Sequence, residues 1–140
     1  MTLKAITEHI LSVAETEKNI NFVGNGDIYA LNNKPDIDYS VFWLTLNNAS
    51  VNENTINYSF TFFYVDRLIN EEDDNNKLKI QSDGIQHITN IVNKLSYTED
   101  VDISFPLQFT AFSQRFADEC SGVFCTVNVL VDNNLGVCEF

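Results

Sequence analysis

Basic residues are scarce in this 140-residue chain: eight Lys and Arg stand against 20 Asp and Glu, for a formal net charge of −12. The eight are scattered, at Lys4, Lys18, Lys34, Arg67, Lys77, Lys79, Lys94 and Arg115, so no run of sequence neighbours forms a basic patch. Affinity for nucleic acid comes largely from neutralising phosphates, so tight binding to DNA or RNA is disfavoured. An anionic membrane surface is repelled for the same reason. Cysteine is also sparse, with three residues, Cys120, Cys125 and Cys138. An odd number without an export signal argues against a secreted disulfide framework and for folding in a reducing cytosol. No stretch approaches the roughly 18 apolar residues of a membrane helix. Internal repeats and low-complexity tracts are missing as well.

What the chain does have is strict alternation. In residues 55–67, Ile56, Tyr58, Phe60, Phe62 and Tyr64 fall on one face, with Asn57, Ser59 and Thr61 on the other. In residues 102–112, Ile103, Phe105, Leu107 and Phe109 alternate with Asp102, Ser104, Gln108 and Thr110. Period two is the signature of a half-buried strand. A single domain is expected over 1–140, because a chain of this size buries roughly 68% of its unfolded surface and needs no metal or disulfide to hold a core.

The remaining segments complete an α+β domain, an antiparallel sheet of at least four strands with two helices packed on it. Leu3, Ile6, Ile10 and Val13 predict a helix over 3–16 capped by Thr2. The Asn-Gly within Val23–Asp27 predicts a type I′ turn, with a short strand over 28–31. Residues 39–47 read as a strand apolar on both faces, Phe42, Leu44 and Leu46 against Val41 and Trp43, which calls for cover on both sides. Residues 48–54 read as its turn into the next strand. A second helix, starting at Ser82 or near Leu78 and ending near Leu95, carries a stripe of Ile85, Ile88, Val92 and Leu95. The last strand, roughly 122–132, puts Val123, Cys125, Val127, Val129 and Val131 on one face.

Catalytic and metal chemistry finds little footing in these residues. His9 and His87 have no visible partner to fix a tautomer and read as surface residues. Cys120 and Cys125 lack a zinc spacing, and Cys125 reads as a small buried hydrophobe. Glu71, Glu72, Asp73 and Asp74 lack the alternating ligands and central glycine of a calcium loop, so they read as a solvated acidic band. The Gly24–Asp27 stretch lacks the third glycine of a dinucleotide fingerprint. No cofactor is expected. The unplaced residues are apolar: Val41, Trp43, Phe63, Phe112, Phe116, Phe124 and Leu130 lie off the main apolar faces, and exposed apolar patches mark protein contacts.

The segment from Phe109 to Val131 resembles small neck and tail proteins of tailed bacteriophages, in particular ring and tail-terminator-like proteins of crAss-like phages of gut Bacteroidetes. The resemblance is carried by the aromatic strand ending Phe63-Tyr64-Val65-Asp66-Arg67-Leu68, the helix opening at Ile80–Gly84, and Phe112, Arg115, Phe116, Asp118, Gly122 and Val123 before the last strand. It implies a tail-terminator-like fold, no catalysis, and a homo-oligomeric ring, six-fold or twelve-fold, around the DNA channel between head and tail. It also implies neighbouring neck and tail proteins as partners and a place in the virion, after assembly in the host cytoplasm. The expected subunit interface is Trp43, Phe63, Phe112, Arg115, Phe116 and Phe124. The expected channel-facing or solvent-facing band is Glu71, Glu72, Asp73 and Asp74. DNA passes through such a ring without being gripped, since carboxylates repel phosphates within a Debye length of roughly 8 Å. Two other readings remain open: a monomeric ligand-binding protein or enzyme with an aromatic-lined pocket, and an acidic DNA mimic that inhibits a host protein.

Overall fold

The structure, a computed structural model, describes residues 2–27, 30, 39–67, 74–115 and 119–132. Helix α1 (Leu3–Glu15) begins where expected, with Thr2 Oγ1 accepting from the Ala5 N–H at 3.2 Å. That bond satisfies one of the N–H groups a helix start leaves open. Ile6, Ile10 and Ala14, four residues apart, form its buried stripe. Leu3, expected in that stripe, is instead exposed.

Strand β1 (Phe22–Asn25) occupies most of the segment expected as a turn. It runs parallel to β2 (Val41–Val51), from Phe22 opposite Val41 to Asn25 opposite Leu44. The ladder outcompetes the local turn, and the chain bends one residue later, at Gly26 with φ +124°. The strand expected over 28–31 falls, except for Ala30, outside the described residues.

β2 is longer than expected and pairs antiparallel with β3 (Thr55–Arg67) out to Val51 opposite Ile56. Residues 48–51, expected in the turn, stay paired because a register shift between Leu46 and Asn48 keeps the two strands in step. The turn contracts to residues 52–54, closed by Asn52 N–H donating to Thr55 O at 2.8 Å.

Helix α2 (Asp74–Ser96) starts earlier than either expected position. Its buried stripe is Ile80, Gly84, Ile88, Ile91, Val92 and Leu95, with His87 among them; Ile85, expected inside, is 41% exposed. The stretch 102–112, expected as one strand, is two: β4 (Val101–Ile103) and β5 (Phe109–Arg115). Pro106 lies between them, and proline has no N–H to give a ladder. Phe105 beside it is exposed.

β6 (Glu119–Asp132) joins everything. It pairs with β3 along its length, from Thr55 opposite Asp132 to Arg67 opposite Cys120. Its other edge carries β4 opposite Val129–Val131 and β5 opposite Glu119–Cys125. The sheet therefore runs β1-β2-β3-β6 and then β4 and β5 end to end, antiparallel except at β1–β2. Both helices pack on one face, over Phe42, Leu44, Phe60, Phe62, Tyr64 and the β6 residues Val123, Cys125 and Val127. Each large side chain taken out of water there contributes about 1.5–3 kcal/mol before entropy is counted. The result is the expected α+β fold with six strands.

Candidate functional site

On the opposite side of the sheet a second, smaller core forms from Val41, Trp43, Val65 and Cys120. Trp43, one of the residues expected at the subunit interface, is 2% exposed. Its cover comes from its own chain. Phe22 stacks beside it at 6.4 Å, its Nε1 donates to Gly26 O at 3.1 Å, and β1 crosses it at Gly24, where a Cβ would lie 2.5 Å from the indole Cζ3. Glycine at 24 is what permits that close approach.

Phe63, Phe112 and Phe124 are brought together next to this core. Their ring centroids lie 5.6 Å (Phe63–Phe124), 6.0 Å (Phe112–Phe124) and 6.5 Å (Phe63–Phe112) apart. All three are half-buried. The register explains the cluster: Phe63 opposes Phe124, Phe112 opposes Gly122, and the Phe112 ring leans over the space that a Gly122 side chain would fill. Beyond the aromatics the same face turns polar but not charged, with Thr45, Asn48, Ser59, Thr61, Thr126 and Asn128 in register. Asn47 and Thr61 exchange hydrogen bonds at 2.9 and 3.0 Å. On β3 and β6 no acid or base stands on this face between Arg67 at one end and Asp132 at the other. Among the described residues no helix covers it.

On the helix side, a groove of about 360 Å³ runs between α2 and β5. Leu78, Ser82 and Ile85 form one wall, with Gln81 and Gln86, and Phe109, Ala111 and Val123 the other. Among the described residues Phe109 is the one aromatic side chain that lines it. Gln81 Nε2 donates to Ser121 Oγ at 3.4 Å beneath it.

Neither histidine is a bare surface residue. His87, 9% exposed, stacks on Tyr64 at 5.5 Å and places Nδ1 3.7 Å from Glu17 Oε2. Glu17 Oε1 lies 3.6 Å from Lys94 Nζ, which donates to Thr16 Oγ1 at 2.8 Å. These contacts tie the end of α1 to α2. His9 Nε2 meets Thr98 Oγ1 at 2.8 Å and does the same for the turn after α2. Sequence spacing could not show this, because Glu17 and Tyr64 reach His87 only through the fold. Burial pushes the Tyr64 hydroxyl up to about 12, partly offset by its hydrogen bond with Ser40. Burial likewise pushes the Cys125 thiol up to about 12, as suits the expected small hydrophobe. Neither group is primed for proton transfer or attack near neutral pH.

Among the described residues, no three His, Cys, Asp or Glu side chains gather as a metal site requires. No helix among them is long and apolar enough to cross a membrane. Glu71, Glu72, Asp73 and Phe116 lie outside the described residues, and Asp74 opens α2. Arg115 is placed through its backbone, opposite Glu119 at the close of the β5–β6 hairpin. No protein-family model matches the chain, and no curated protein sequence does.

Proposed function

We propose that this chain is a structural subunit of a bacteriophage neck or tail, assembling as an oligomeric ring around the DNA channel. The observation that carries the reading is the sheet face that no helix covers among the described residues. Half-buried Phe63, Phe112 and Phe124 adjoin a broad stretch of Thr, Ser and Asn, all without charge, in a chain whose formal net charge is −12. So acidic a chain repels acidic neighbours, so a surface that docks on the rest of the assembly has to exclude charge, and this one does. The resemblance to tail-terminator-like proteins supplies the context, and the acidity suits a conduit that DNA slides through.

Electron microscopy of the purified protein tests the proposal. Annular particles of fixed rotational symmetry are expected, with no binding to duplex DNA at physiological salt. Thr126→Glu, which puts a carboxylate on the exposed polar part of the face, is expected to weaken contacts to neighbouring virion proteins while the fold survives. A chain that stays monomeric at high concentration, or that binds DNA tightly and salt-sensitively, defeats the reading.

A further inference from the structure

Among the described residues the sheet has two outer edges that carry neither charge nor proline along most of their length. Natural proteins guard an open edge with charged side chains, prolines or a covering element. β1 covers β2 only from Val41 to Leu44, and the remainder of that edge, through Val51, has no strand partner among the described residues. It carries no charged residue and no proline, though it is bulged near Leu46. β5 pairs with β6 on one side, and its other side has no strand partner among the described residues. From Phe109 to Gln114 it too is free of charge and proline. In a chain with 28 charged residues in 140, two such edges are what strand pairing needs.

The apolar side chains beside the two edges are complementary. Along β5, Phe109 and Ala111 face the groove beneath α2, where Leu78 is 65% exposed and Ile85 also reaches solvent. Along β2, Leu46 and Val51 are exposed on the same helix-bearing face, opposite Phe60 and Ile56, and Val51 is 66% exposed. A strand added to β5 sets alternate side chains into that groove. We propose that the outer edge of β5 takes the free edge of β2 from a second copy of this chain, head to tail, so that the sheet continues from copy to copy. It rests on the ring reading above and assigns that ring its side-by-side contact. In chain direction β2 and β3 are antiparallel, as are β3 and β6, and β6 and β5, so the new pair is antiparallel as well.

The two edges sit at different heights. Ala111 is level with Val123, Tyr64 and Phe42, whereas the middle of the free β2 edge is Ala49, roughly 20 Å further along at about 3.3 Å per residue. Four strand spacings of about 4.8 Å separate successive copies of β2, roughly 19 Å. Strands in the closed ring are thus inclined by roughly 45°, near the tilt at which sheets commonly close.

Head-to-tail pairing has a signature in mixtures. Ala111→Lys blocks one edge and Ala49→Lys the other; both positions are exposed, and circular dichroism checks that each variant folds. Analytical ultracentrifugation of the full chain reads the outcome. Each variant alone is expected to fall from the assembly to the 15.9 kDa monomer. Mixed in equal amounts, the two are expected to form a species of twice that mass and none larger, because each keeps the edge the other lacks. A dimer lost in Ala111→Lys but kept in Ala49→Lys overturns the proposal in favour of a two-fold β5 pair. Rings that survive both substitutions overturn it while the ring reading stands. Open filaments that either variant dissolves support the edge pairing and defeat the ring. A parent chain that remains monomeric defeats both.

Discussion

Gly84→Ala sets helix propensity against packing. Gly84 lies in the interior of α2, where alanine in place of glycine stabilises a helix by about 1 kcal/mol. The structure opposes that gain. A Cβ at 84 would stand 2.7 Å from Tyr64 Cδ1 and 2.7 Å from Val123 Cγ2, closer than side chains tolerate. Neither neighbour is the loose end of a flexible chain: Tyr64 is pinned against His87, and Val123 is fully buried between β3 and β5. Forcing extra volume into such a contact costs about 1–3 kcal/mol. The net expectation is a loss of about 1 kcal/mol, which lowers a urea midpoint by about 0.5 M for an m-value near 2 kcal/mol/M. Val123→Ala removes one of the two clashing groups, so Gly84→Ala is expected to cost less in that background, with a coupling of about 0.5–1 kcal/mol. A midpoint that rises in Gly84→Ala, or costs that simply add in the double variant, would refute the close seating of α2 on the sheet.

Three further outcomes are expected. Gly24→Ala displaces the indole of Trp43, the one tryptophan in the chain, so its emission should shift to the red with a stability loss of about 1–3 kcal/mol; unchanged emission would contradict the β1 contact. Burial raises the Asp66 pKa, with the Arg67 N–H at 2.8 Å and Lys79 opposing and Asp83 adding to it, so the folded state holds this proton more tightly than the unfolded chain does. The associated stability is present below an unfolded carboxyl value of about 3.9 and is lost as pH rises through the folded value, so Asp66→Asn should stabilise the protein at neutral pH and do nothing below about pH 3. A pH series of urea midpoints that shows no such difference would count against the buried setting of Asp66. Cys125, with its thiol pushed up to about 12, should resist alkylation at mildly alkaline pH until denaturant is added, as read by mass spectrometry of its peptide; rapid native labelling would contradict its burial.

The long strands were legible because their signal is local and redundant. β3 and β6 each repeat the alternation over many residues, and every repeat points the same way. The boundaries that failed were set by partners far along the chain. Phe22–Asn25 has turn residues, yet β2 offers it a ladder, and Gly24 serves the Trp43 ring instead of a hairpin. Residues 48–51 look like a loop until Ile56, Asn57, Tyr58 and Ser59 are set opposite them. The break at Pro106 was signalled in the sequence, but strong alternation on both sides masked it. For the candidate surface, period two put Phe63 and Phe124 on the off-face, and only the β3–β6 register could show that they touch. Trp43 shared that parity but is sealed by β1, whose existence the sequence did not reveal. The groove under α2 depends on where the helix lies over β5, which no periodicity encodes.

The place of β6 in the sheet has a consequence for how the chain is made. Of the described strands it is translated last, yet it lies between β3 and the pair β4 and β5. The β2–β3 hairpin closes across a few residues and can form early, whereas the β3–β6 ladder must close a loop that holds α2, β4 and β5. Contacts so distant in sequence are slow to form. While synthesis proceeds, β3 has one open side, and β4 and β5 have nothing to pair with. Until β6 is made the chain therefore waits with Tyr58, Phe60, Phe62 and Tyr64 only partly covered, and the sheet is completed by the insertion of a single strand into a waiting slot.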